Sequence, residues 1–188
     1  MNILKSALIA TTLLASSGAV FADDHSTENP MVGGAEMFAD KNIVENALNS
    51  ADHTTLVAAV KAAGLAETLM GDGPFTVFAP TNEAFAALPE GTVDTLLKPE
   101  NKELLTTVLT CHVVGKAVMA DALQGMITDD GGKHAVPTLG GCTLQAYNEG
   151  DSIVLEDENG AKATVTIADV KQSNGVIHVT DAVFTPKM

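Results

Sequence analysis

The chain predicts an α+β fold, and three observations carry the prediction. Its first half holds three stretches with apolar residues at helical spacing, and its second half holds four short β-like runs parted by turn residues. Between the early helices lies Phe75-Thr76-Val77-Phe78-Ala79-Pro80-Thr81-Asn82-Glu83-Ala84-Phe85, which encodes a strand, a break and a helix start. Helices first and strands later is the order of an α+β domain.

In chain order, Lys5, an apolar run from Ala7 to Ala15 relieved by Thr11 and Thr12, and Val20-Phe21-Ala22 read as a signal peptide over residues 1–22, cleaved after Ala22. The expected destination is the periplasm or the exterior. No stretch approaches about 20 consecutive apolar residues, so no membrane span is expected. There is no Cys at the cleavage point to carry a lipid, and Phe184-Thr185-Pro186-Lys187-Met188 lacks a hydrophobic tail, so surface attachment would be non-covalent. Residues 23–41 mix acids with Pro30 and Gly33-Gly34 without periodicity and read as a flexible acidic leader, which places the domain at 42–188.

Ile43, Val44, Ala47 and Leu48 share one helical face, and Leu56, Val57, Val60 and Leu65 repeat it behind Asp52, an expected cap. Phe75, Val77 and Ala79 alternate with Thr76 and Phe78 as in a short strand with one face more deeply buried, and Pro80 then withholds an N–H from the ladder. Thr81 suits an N-cap, Glu83 complements the positive helix end, and Phe85 with Leu88 restores the apolar stripe. Leu104, Leu105, Val108 and Leu109 form a third stripe behind Pro99, with His112-Val113-Val114 continuing as strand. The β-like runs are Thr143–Tyr147, Ser152–Glu156, Ala163–Ala168 and Val176–Val183, separated by Glu149-Gly150-Asp151, Asn159-Gly160 and Ser173-Asn174-Gly175.

A length of 188 residues with 46% hydrophobic content suits one domain with a sizeable core. The formal net charge is −14, and removal of residues 1–22 takes away only Lys5 among charged groups, so the acidity survives processing. All ten basic residues are Lys. With no Arg fork for phosphate and a field that repels a nucleic-acid backbone, nucleic-acid binding is excluded from the expected functions. The charge reads first as solubility, and more sharply as divalent-cation bridging to acidic polymers.

The Phe75–Phe85 run and the segment Asn174-Gly175-Val176-Ile177-His178-Val179-Thr180-Asp181-Ala182-Val183 together resemble the paired signature motifs of the fasciclin domain. The resemblance runs from about Asn42 to Pro186 and includes Thr92 to Leu97, Leu104 to Val114 and Thr143 to Leu144 in order. It implies a wedge-shaped β-sandwich with several α-helices packed alongside, the helices mainly in the N-terminal half. It also implies an adhesion or interaction module that binds a protein or polysaccharide at the cell surface, or itself; no cofactor is expected, and no constellation of converging titratable groups points to an enzyme. Phe75, Pro80, Thr81, Asn82, Phe85, Asn174, Gly175, His178 and Asp181 are then structural motif positions, with His178 and Asp181 on opposite faces of the terminal strand.

Cys111 and Cys142 are the only cysteines, and an even count in an exported chain favours a disulfide; the other reading is two small buried hydrophobes. Cys111-His112 invites a thiolate–imidazole reading, but neighbours on a strand point to opposite faces, which argues against a dyad. Many fasciclin domains carry a Tyr-His pair here that is linked to adhesion. In this chain Cys111 replaces the Tyr, only His112 carries over, and Val113-Val114-Gly115-Lys116 lacks the proline often found after the two valines. His112 is therefore expected to be a core hydrogen-bonding residue, with an interaction role as the alternative. Cleavage after Ala22 would expose Asp23-Asp24-His25, whose amine, two amides and imidazole form a square-planar nitrogen set suited to Cu(II), although a His at the third position also arises by chance. This makes an envelope metal or small-molecule binding protein the runner-up. Asp129-Asp130-Gly131 and Glu156-Asp157-Glu158-Asn159-Gly160 lack calcium-loop spacing and read as turns.

Overall fold

A computed structural model describes residues 29–187. The expected signal peptide, residues 1–22, and the Asp23-Asp24-His25 motif lie outside the described residues.

The folded body begins before Asn42. β1 (Met31–Val32) and β2 (Ala35–Glu36) form a hairpin whose turn residues Gly33 and Gly34 both take positive φ, 59° and 75°. Two successive positive-φ residues make the tight turn that matches strand twist, so the glycines that looked like a linker fix a hairpin instead. Val32 and Met37 are buried in the core, and the Ala51 N–H donates to the Gly33 carbonyl at 3.2 Å.

α1 (Ile43–Asn49) starts with a capping box: the Asn42 side chain accepts from the Glu45 N–H, and the Glu45 carboxylate accepts from the Asn42 N–H, both at 2.9 Å. Asp52 does not cap α2 (Thr54–Ala63); it sits in a single 3-10 turn, Ala51–His53. The orphan Thr55 N–H is met instead by Asn82 Oδ1 at 3.0 Å, a cap supplied from a different helix. α3 (Ala66–Leu69) leads to β3 (Phe75–Pro80), followed by α4 (Asn82–Ala86), capped by Thr81 as expected through its Oγ1 and the Ala84 N–H. α5 (Thr92–Leu96), α6 (Lys102–Thr110) and β4 (Val113–Val114) complete the N-terminal half. α7 (Ala120–Asp129) and β5 (Lys133–Pro137) occupy a stretch for which the sequence carried no expected element. β6 (Thr143–Glu149), β7 (Ser152–Glu156), β8 (Lys162–Gln172) and β9 (Gly175–Thr180) follow.

Seven strands form one sheet in the order β4-β3-β9-β8-β7-β6-β5, with β3 and β9 parallel and every other pair antiparallel. β8 carries register shifts between Val165 and Val170, and Asp169 within them takes φ 59°. Such bulges bend a strand, and here they let one sheet fold over itself into the sandwich. The ends of the sheet nearly meet. The Leu139 N–H donates to the Val113 carbonyl at 2.8 Å and the Gly140 N–H to the Thr110 carbonyl at 3.0 Å, tying the β5–β6 turn to β4 and to the end of α6.

β3 is buried on both faces, not mainly on one, because it lies inside the sheet with helices on one side and the β5–β7 layer on the other. Val77 and Ala79 pack with Leu56, Val60, Leu105 and Leu109 of α2 and α6. Phe78 points the opposite way into a second core with Leu123 and Ile127 of α7, Leu144, Leu155 and Phe184. Truncating Phe78 to Ala would cost about 3–5 kcal/mol by cavity formation.

Candidate interaction site

The motif residues hold the fold together and leave little for a ligand. The Asn174 side chain accepts from the Ile43 N–H at 3.1 Å and donates to the Leu69 and Gly71 carbonyls at 2.7 and 2.8 Å, so one amide ties α1, the end of α3 and the turn before β9. Gly175 lies so close to the Phe75 backbone that a Cβ would collide with the Phe75 carbonyl. Phe85 is buried in the helical core, and Asn82 also donates to the Ala51 carbonyl at 2.8 Å. His178 Nδ1 accepts from the Asp169 N–H at 3.2 Å and Nε2–H donates to the Val118 carbonyl at 2.8 Å, while burial lowers its pKa. Asp181 is not in the terminal strand with His178, since β9 ends at Thr180. Its carboxylate accepts from the Thr164 N–H at 2.6 Å, just beyond the pairing.

The Cys111-His112 pair also departs from its expected setting: Cys111 is the C-cap of α6, and both residues precede β4, so strand alternation does not govern them. What removes the dyad is bonding. Cys111 is joined to Cys142 with Cα atoms 5.3 Å apart, leaving no thiol. The Phe184 N–H donates to His112 Nε2 at 2.9 Å, which makes that nitrogen the acceptor and places the proton on Nδ1, donated to the Val108 carbonyl at 2.8 Å. Desolvation pulls the His112 pKa down to about 4, opposed by the Val108 bond, so the ring is neutral near pH 7 with both nitrogens spent. Its face lies 4.8 Å from the Phe184 ring. A partner cannot touch it without opening the core.

The exposed features at this end of the molecule are on the rim where the sheet closes. Leu139 is 54% exposed at the tip of the β5–β6 turn, which is pinned by the two backbone bonds to Val113 and Thr110 and by the disulfide at Cys142. Beside it runs the loop Gly115–Val118, where a Cβ on Gly115 would lie 3.2 Å from the Leu139 side chain. Thr76, itself fully buried, donates from Oγ1 to the Lys116 carbonyl at 2.6 Å and accepts from the Val118 N–H at 2.8 Å. With His178 on the Val118 carbonyl, buried polar side chains hold the loop from beneath. Sequence reasoning noted the missing proline in this loop but not the rim, since the rim is assembled from segments more than twenty residues apart.

Behind the rim lies a cavity of about 190 Å³ walled by Phe78, Val114, Leu123, Met126 and Val136, with Lys116 and His134 also in its lining. The acidic turns are used internally. The Asp157 carboxylate accepts from the Asn159, Ala161 and Thr185 N–H groups at 2.9 Å each, and Asp130 pairs with His134 Nδ1 at 2.6 Å. Among the described residues no group of three or more His, Cys, Asp or Glu is arranged to hold a metal, and no helix is long and apolar enough to cross a membrane.

The fasciclin domain family model matches residues 51–186. The chain belongs to the fasciclin domain family. Among its fasciclin relatives, protein sll1483 of Synechocystis sp. is 44% identical over 173 residues, covering 89% of this chain and 86% of that protein. The transforming growth factor-beta-induced protein ig-h3 of Sus scrofa is 36% identical over 132 residues, 70% of this chain but only 17% of the larger protein. The solved fasciclin domain pair of the insect cell adhesion molecule Fasciclin I superposes with a TM-score of 0.68 at 18% identity, covering 76% of this chain and 50% of that one, a likeness of fold. The fasciclin domain is consistent with an adhesion or interaction module.

Proposed function

We infer that the mature protein is a secreted or periplasmic adhesion module that binds a protein or polysaccharide of the cell envelope or matrix, or a second copy of itself. Membership of the fasciclin family and the fold shared with a domain pair from a cell adhesion molecule support this reading. The observation that carries it to a surface is Leu139, a large apolar side chain left in solvent on a turn held rigid by a disulfide and two backbone bonds. Ordering a contact residue in advance lowers the entropy cost of binding. His112, in contrast, serves the reading only by joining the end of α6 to the Phe184 segment inside the core.

Mature protein immobilised and exposed to envelope extract, with calcium and with chelator, should retain a protein or polysaccharide, and Leu139→Ser should weaken that retention without changing the melting temperature. Equal retention by the variant would remove the rim from the reading.

A further inference from the structure

We propose that the cavity behind the rim is a preformed binding site for a small apolar carboxylate, an aromatic or branched acid of about benzoate size. The walls are Phe78, Val114, Leu123, Met126 and Val136, and among the described residues the ionisable ones in the lining are Lys116 and His134. Among the described residues no Asp or Glu lines it, although the chain is strongly acidic. Nearby, the Asp130 carboxylate pairs with His134 Nδ1, and the Asp169 carboxylate accepts from the Ala120 N–H at 2.7 Å. Apolar walls with a few polar groups in the lining are the pattern of a small-ligand pocket, and here the polar set includes the exposed Lys116.

Size narrows the class. A dry cavity of roughly 150 Å³ takes up benzene, so about 190 Å³ accepts one ring with a short substituent. The enclosure is fixed before any ligand arrives, because Thr76 and His178 hold the Lys116–Val118 side, and the disulfide-pinned turn holds the side that includes Val136 and Pro137. Apolar contact would hold the ring inside while the carboxylate meets the Lys116 ammonium at the exposed end.

The test is an NMR titration of nitrogen-15-labelled mature protein with benzoate and, separately, with benzyl alcohol. Saturable shifts are expected at the Val114, Gly115, Val118, Met126 and His134 amides, with benzoate the tighter ligand. Lys116→Gln, an exposed change that leaves the core intact, should weaken benzoate by about tenfold or more and leave benzyl alcohol unchanged. Met126→Trp, on a half-buried position of α7, should block both while the melting temperature shows the fold retained. Absence of saturable shifts, or shifts centred elsewhere, overturns the site. Equal affinity for both ligands in the parent and in Lys116→Gln overturns the anionic class. The rim's role in adhesion is read separately through Leu139→Ser and envelope retention, so either reading can fail alone.

Discussion

Removing the Cys111–Cys142 bridge should loosen the closure of the sheet and lower global stability by a definite amount. The bridge spans a sequence separation of 31 residues. On the chain-entropy relation a loop of that size contributes about 3.7 kcal/mol at 25 °C, from the restriction it places on the unfolded chain. For a domain of this size that corresponds to a fall in melting temperature of roughly 7–15 °C. Far-UV circular dichroism in urea, suited to a chain without Trp, should show this loss both for Cys111→Ala/Cys142→Ala and for the parent protein in excess reductant. Hydrogen exchange adds the local reading: the Leu139 and Gly140 amides, bonded to the Val113 and Thr110 carbonyls, should lose more protection than the amides of β9. A loss below about 1 kcal/mol, or unchanged exchange at Leu139 and Gly140, would refute the reasoning that the bridge is what holds the sheet ends together.

His112 should make stability pH-dependent. Its folded pKa of about 4 lies below the unfolded 6.5, so the unfolded chain binds the extra proton; stability is full above pH 6.5, falls as pH drops toward 4, and levels off below. The total is on the order of 3 kcal/mol, with His53 and His178 acting in the same direction, and urea melts of His112→Gln should show a shallower slope over that window. Asn174→Ala should destabilise by roughly 3–5 kcal/mol because a buried N–H and two carbonyls lose their partner, and Gly175→Ala should be comparably harmful by driving a Cβ into the Phe75 carbonyl; calorimetry of the two variants checks both. Asn82→Ala should cost about 1–2 kcal/mol and raise exchange at the Thr55 amide, the N–H it caps from outside the helix.

The parts legible in the sequence were those with local causes. Pro80 and Thr81 ended a strand and started a helix through backbone chemistry within two residues, and Gly150 and Gly160 marked hairpins that the strand pairing of β6, β7 and β8 reproduces. Long-range causes were hidden. Asn174 meets Leu69 and Ile43 across 105 and 131 residues, so no window could show that its amide joins α1 to α3. Helix α7 carries Ala120, Leu123 and Ile127 at helical spacing, but Gly125 interrupts it and Met119 gives no side-chain cap, which masks the pattern. The Gly33-Gly34 hairpin looked like a linker because glycine supplies both flexibility and the positive φ of a tight turn. The rim and cavity were invisible because β3, β4, α7 and β5 each contribute only a few residues to them.

Adhesion itself is measured most directly by surface attachment of cells that make the parent protein, the Leu139→Ser variant or none. Attachment should fall on loss of the protein, return with the parent and return only in part with Leu139→Ser at equal export and stability. Attachment unchanged by loss of the protein would contradict an adhesive role.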